Sequence, residues 1–140
     1  MRKAILTASA QAQAQFHDLD PMNVVWHGNY PRFLELGRVA LMDRLDYNYA
    51  QMEASGYAWP VIDMHIRYAH PVVLHQSIIV TAGLLEWENR LKIAFEISDE
   101  ETSKRLVKAH TVQVAVDAGS KKMLWETPDV FRKKVEPFLK

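Results

Sequence analysis

Between about Asn29 and Leu45 the chain carries one helix-length stretch whose apolar residues nearly encircle it, and after Pro60 the pattern changes to a period of two. Tyr30, Phe33, Leu34, Gly37 and Leu41 fall on one face at helical spacing, while Leu36, Val39 and Met42 cover much of the rest. A helix apolar on nearly all sides is expected to be buried by its surroundings rather than laid on a surface. Asn29 is placed to cap it, and Pro31 is tolerated in its first turn. A shorter helical piece is expected around Tyr47 to Ser55, stopped by Gly56 and Pro60. Ile62, Met64, Ile66 and Tyr68 then alternate with Asp63, His65 and Arg67, which predicts a half-buried strand. Ser77 to Glu86 reads as a second strand, Leu91 to Ile97 as a third, and Leu106 to Val116 as a fourth. Asp117-Ala118-Gly119-Ser120 reads as a hairpin turn into Lys122 to Trp125, and Pro128 opens a short C-terminal helix. Ahead of the long helix, Gln and Ala alternate into Phe16 and predict an initial strand.

One strand, one buried helix and four or five antiparallel strands give an α+β layout in which a curved sheet wraps a helix. Such a sheet leaves an edge strand with unpaired N–H and C=O groups. A homodimer with a continuous sheet, or a homotetramer built from two such dimers, is therefore the expectation. The length suits a single domain over residues 1–140. Seventeen basic residues against seventeen acidic ones leave no net charge, which argues against broad nucleic-acid binding. With no cysteine, thiolate catalysis and cysteine-built zinc sites are excluded. The basic start at Met1-Arg2-Lys3 imitates a secretory signal, but only Ile5 and Leu6 are strongly apolar before Gln11. No apolar run approaches the roughly 20 residues of a membrane span. The expectation is a cytoplasmic protein.

The chemistry concentrates in Asp20-Pro21-Met22-Asn23-Val24-Val25-Trp26-His27-Gly28-Asn29-Tyr30. A carboxylate stands seven residues ahead of a histidine and ten ahead of a tyrosine, where the long helix begins. A carboxylate can attack a carbonyl or activate water. Amides at a helix N-terminus can stabilise the oxyanion that forms. Taken alone, Asp20-Pro21 reads first as a turn opener or helix cap. Asp18 reads as structural or as a support for that site, and Glu35 with Arg38 as a helix ion pair. His65, His70 and His75 are spaced to alternate between strand faces, which argues against a shared metal. His110 reads as an ordinary strand residue.

The layout, together with Asp18-x-Asp20-Pro21-x-x-Val24-Val25-Trp26-His27-x-x-Tyr30, resembles the hotdog-fold acyl-CoA thioesterases of the 4-hydroxybenzoyl-CoA thioesterase group. Glu35-x-x-Arg38 and Arg67-Tyr68-x-x-Pro71 add to the resemblance. It implies that Asp20 is the catalytic carboxylate and that the His27 backbone amide binds the thioester oxygen. Tyr30, Trp26 and Met22 are expected to shape the substrate pocket. No metal or other cofactor is implied. The substrate implied is an acyl-CoA, or an acyl-carrier-protein ester, so a cationic cluster for phosphate is needed. Arg90 and Lys92 are the first candidates for it, followed by Lys104 and Arg105. The chain departs from the family at Phe16, where some relatives carry tyrosine, and at Met22 and Asn23, where relatives favour glycine. Asn23 suits such a turn because asparagine tolerates unusual backbone angles. Two other readings stay open. One is a hydratase or dehydratase on the same fold, with His27 paired to Asp20; the other is a non-catalytic acyl-CoA binding protein. A further variant of the thioesterase reading makes Glu35 the carboxylate.

Overall fold

The structure is a computed structural model and describes residues 3–139. The long helix, α1, runs Tyr30–Arg44, with Pro31 in its first turn. Asn29 precedes it without capping it. Its side chain instead donates to the Asp18 carbonyl at 2.9 Å. A short helix α2 spans Tyr49–Ala54, capped by Asn48 and Gln51 reciprocally. The C-terminal helix α3 is Asp129–Val135, entered through Pro128.

Five strands form one antiparallel sheet: β1 (Thr7–Gln13), β3 (Val61–Tyr68), β4 (Ser77–Glu86), β5 (Leu91–Asp99) and β6 (Arg105–Gln113). Their spatial order is β1-β4-β5-β6-β3, so the strand that follows the helices joins the sheet only through β6. Two short strands, β2 (Tyr57–Ala58) and β7 (Val116–Asp117), pair separately. The α1 face of the sheet is built from Ala8, Ala10 and Ala12 of β1, then Ile78, Val80, Ala82 and Leu84 of β4. Leu91, Ile93, Phe95 and Ile97 of β5 complete its centre, all fully buried. Small residues on β1 and Gly37 on α1 let the helix approach closely. A Cβ at Gly37 would stand 2.9 Å from a Val80 methyl carbon. Tyr47, Trp59 and Phe131 close the far end of the core, with ring centroids 5.0–6.1 Å apart.

Several sequence expectations are corrected. α1 is covered on one side only: Leu36 and Val39 remain 37% and 57% exposed because the sheet reaches just one face of the helix. β3 is not half-buried. Of its eight residues only Ile66 is partly covered, since the strand lies at the edge of the sheet and α1 does not extend over it. The strand expected through Val116 stops at Gln113, and Val116–Asp117 leaves to pair with β2. Lys122 to Trp125 forms no strand; only Met123 bridges back to Val116, around a turn in which the Asp117 carboxylate accepts from the Gly119 and Ser120 amides. The first strand ends at Gln13, and Phe16–Asp18 is a 3-10 turn.

Candidate active site

The segment joining β1 to α1 is a small antiparallel hairpin. Leu19 bridges Val25, the Asp20 amide donates to the Val24 carbonyl at 2.9 Å, and the Trp26 amide donates to the Asp18 carbonyl at 2.9 Å. Asp20 opens its turn. The carboxylate accepts from the Met22 amide at 2.8 Å, and its carbonyl accepts from Asn23 at 3.0 Å. Asn23 takes φ 64°, a left-handed conformation that glycine adopts freely and asparagine tolerates better than most residues. The hairpin is stitched to the chain between β3 and β4: the Val25 amide donates to the Val72 carbonyl at 2.8 Å, and Val24 bridges Val73.

Asp18 braces this arrangement. Its carboxylate is 1% exposed, accepts from the Gln15 amide at 2.9 Å and lies 2.5–2.6 Å from Nη2 of Arg32 on α1. Burial pushes the carboxyl up, but the Gln15 amide and the Arg32 guanidinium together outweigh it and hold it below the usual carboxylate range.

At the helix mouth, His27–Asn29 forms one 3-10 turn leading directly into α1. The amides of His27 and Gly28 find no acceptor among the described residues, as expected for the first donors of a helix. The Tyr68 hydroxyl donates to the His27 carbonyl at 2.8 Å, which fixes the plane of the His27–Gly28 peptide. The His27 imidazole is exposed. It lies 5.1 Å from the Trp26 ring and 6.5 Å from Tyr68, with no hydrogen bond to Asp20. The indole of Trp26 occupies the space beside Gly28, so that a Cβ there would fall 2.3 Å from it. Tyr30 is buried, accepts from the Val72 amide at 3.2 Å and packs edge-on against Tyr68 at 5.0 Å. Burial pushes its phenol up; the Val72 amide opposes this, while neighbouring Tyr68 and Asp20 add to it.

Asp20, Trp26, His27 and Tyr30 thus meet at one end of the sheet, with Met22 79% exposed on the tip of the turn. Arg90 and Lys92 do not join them. They sit where β4 turns into β5, at the opposite end of this chain's sheet, and both pair with Glu86, at 2.9 and 3.8 Å. Tyr68 is the contact at the helix mouth that sequence reasoning did not single out, though it stands in the Arg67-Tyr68-x-x-Pro71 motif.

Flanking α1 toward its C-terminal end is a cavity of about 880 Å³, walled by Met42, Met52, Trp59 and Val61 among others. Arg38, 8% exposed, crosses its wall. It donates to Glu35 at 2.9 Å and to Gln113, which in turn donates to the Trp59 carbonyl at 2.8 Å. Glu35 is therefore held in an ion pair beside the cavity, away from the free amides. Among the described residues no group of three or more His, Asp or Glu side chains is placed to hold a metal, and no helix is long and apolar enough to cross a membrane.

A family model described as the thioesterase-like superfamily matches residues 14–135, and the chain belongs to that family. The curved sheet around α1 is the hotdog fold. The chain is 29% identical over 124 residues to YneP of Bacillus subtilis, provisionally classed as an acyl-CoA thioesterase, covering 88% of this chain and 86% of that one. It is 27% identical over 125 residues to a Synechocystis protein provisionally classed as an esterase, covering 84% and 72%. Among solved structures, a DHNA-CoA thioesterase from Staphylococcus aureus superposes with a TM-score of 0.81 at 23% identity, covering 94% of this chain and 91% of that one.

Proposed function

We propose that this chain hydrolyses acyl-CoA thioesters, with Asp20 as nucleophile or general base and the His27 amide as oxyanion donor. The observation that carries the reading is the pairing of a turn carboxylate with two unpartnered amides at the mouth of α1. The carboxylate attacks the thioester carbon, or draws a proton from an attacking water. The carbonyl oxygen gathers charge and is met by the His27 N–H, reinforced by the α1 dipole. Collapse of the tetrahedral intermediate expels the thiolate of CoA. If Asp20 attacks directly, water then hydrolyses the acyl-aspartyl anhydride. The imidazole of His27, without a bond to Asp20, fits a packing role better than the His–carboxylate dyad of a hydratase. The curated relative classed as an acyl-CoA thioesterase supports the CoA ester as substrate.

The exposed edge of β3 supports a homodimer in which two such strands pair antiparallel. That pairing would set the Asp20 end of one protomer beside the cavity of its partner.

The test is release of free thiol from a panel of short-chain, long-chain and aromatic acyl-CoA esters, run for wild type and Asp20→Asn. Loss of an acid–base or nucleophilic group should lower kcat by at least ~10². Turnover surviving within threefold would assign the chemistry elsewhere. Ester binding with no turnover in the wild type would favour the binding-protein reading.

A further inference from the structure

The solvent face of the sheet, opposite α1, brings two cations and two imidazoles together at the β3–β6 edge, with Asp63 further along β3 and Glu96 across on β5 as acids of the same face. In the register of that pair, Arg67 stands directly opposite Lys108, and His65 directly opposite His110. Because these positions are two apart on each strand, all four side chains leave the same face. The imidazoles stack at 5.4 Å with their planes 10° apart. Neither Arg67 nor Lys108 has an ion-pair partner among the described residues. The acid that β5 places opposite Lys108 is Glu96, and it takes Arg105 at 3.3 Å. Like charges facing each other across strands oppose pairing. A chain with no net charge overall nevertheless concentrates them here.

The location matters as much as the charge. Tyr68, the next residue after Arg67, leaves the other face of the same strand end and binds the His27 carbonyl. A ligand whose reactive end lies at the His27 amide and whose tail passes around the end of β3 would bring that tail over Arg67 and Lys108. In contrast, Arg90 and Lys92 are at the far end of this chain's sheet and share one carboxylate, Glu86.

We infer that Arg67, Lys108 and the His65–His110 pair form an anion site for the phosphates of the coenzyme A nucleotide, with the pantetheine arm crossing from this face to the Asp20 turn. An anion seated between Arg67 and Lys108 turns their repulsion into shared attraction, and the two imidazoles supply further N–H donors beside it. The inference rests on the acyl-CoA thioesterase reading and names where that substrate's phosphates bind.

The experiment compares an acyl-CoA ester with the matching acyl-pantetheine ester, which lacks the nucleotide. For the double variant Arg67→Glu/Lys108→Glu, KM for acyl-CoA should rise at least tenfold while KM for acyl-pantetheine moves less than twofold. The charge-conserving pair Arg67→Lys/Lys108→Arg should restore acyl-CoA KM to within about threefold of wild type. Added salt should raise the wild-type KM for acyl-CoA and leave that of the double variant nearly flat. Two results would overturn the assignment: an acyl-CoA KM that does not move, or both KM values rising together. An effect confined to acyl-carrier-protein esters would also overturn it, in favour of a protein partner. If the double variant does not fold, Lys108→Gln is read in the same way, with a threefold rise as the threshold. If no ester is hydrolysed, the thioesterase reading fails separately. Calorimetric titration with CoA itself then decides the site: at least tenfold weaker binding in the variant supports it, and equal binding or none in the wild type refutes it.

Discussion

Asp18→Asn removes one charge from the brace of the Asp20 hairpin while keeping its size. In the native protein the carboxylate is 1% exposed and meets both the Gln15 amide and Arg32 Nη2, the latter at 2.5–2.6 Å. The asparagine oxygen can still accept from Gln15, but its NH₂ then faces the guanidinium, donor against donor. A hydrogen bond to a charged group contributes about 1.5–3 kcal/mol. Arg32 is 49% exposed and can re-solvate, so the pair itself belongs near the lower end of that range. Leaving a buried amide donor unpaired adds about 1 kcal/mol or more. The expected loss is therefore about 2–3 kcal/mol, or roughly 6–15 °C in Tm at about 3–5 °C per kcal/mol for a domain of this size.

The pH dependence gives the reasoning a second edge. Asp18 titrates lower in the folded chain than an ordinary aspartate, so its contribution is complete above the usual carboxylate range and fades as pH falls through the lowered folded value. Urea unfolding of wild type and Asp18→Asn should show a constant difference between pH 5 and 7 that narrows below about pH 4. Arg32→Gln should destabilise as well, because it strands a buried carboxylate. The double variant should be less destabilised than the sum of the two. A difference under 0.5 kcal/mol at pH 7, or one that does not change between pH 7 and pH 3, would refute this account of the brace.

Tyr68→Phe keeps the packing against Tyr30 but frees the His27 carbonyl; kcat should fall about tenfold with KM and Tm little changed, as steady-state kinetics and a thermal melt would show. Gly28→Ala forces the half-exposed Trp26 ring to move from atoms 2.3–2.8 Å away, so Trp26 emission should shift at a stability cost under about 1 kcal/mol. Trp26→Phe should relieve that conflict. Gly37→Ala meets buried Val80 instead, in a core that cannot yield as easily; even after the gain in helix propensity it should cost about 1–2 kcal/mol in a urea melt.

Periodicity was enough to place α1 within a residue at each end and β4 over its observed bounds, because both bury a continuous apolar face. The Asp20 turn was legible through Asn23, whose residue type tolerates the φ that the turn needs. β3 misled because alternation reports which side chains share a face, not whether another layer covers that face. Neither composition nor spacing says at which end of a sheet a turn will lie, so the distance of Arg90 and Lys92 from Asp20 within one chain was not legible either. The stacked His65 and His110 are 45 residues apart and meet only through the register of β3 with β6. Arg32 was invisible as the partner of Asp18, since no local period connects a 3-10 turn to the first turn of a helix beyond it.

The strand order has a consequence for how the protein comes into being. The Asp20 hairpin and α1 emerge early from the ribosome, yet they are anchored to Val72, Val73 and Tyr68, and β3 itself is held only by β6, residues Arg105–Gln113. Nearly four-fifths of the chain must be synthesised before the groups around His27 can acquire their final orientation. Because such distant pairings close slowly, the Asp20 end cannot mature until most of the nascent chain is available, early though its own residues emerge. A chain released before β6 would carry every residue of the Asp20 motif and still leave β3, with its Tyr68 anchor, no neighbouring strand to hold it.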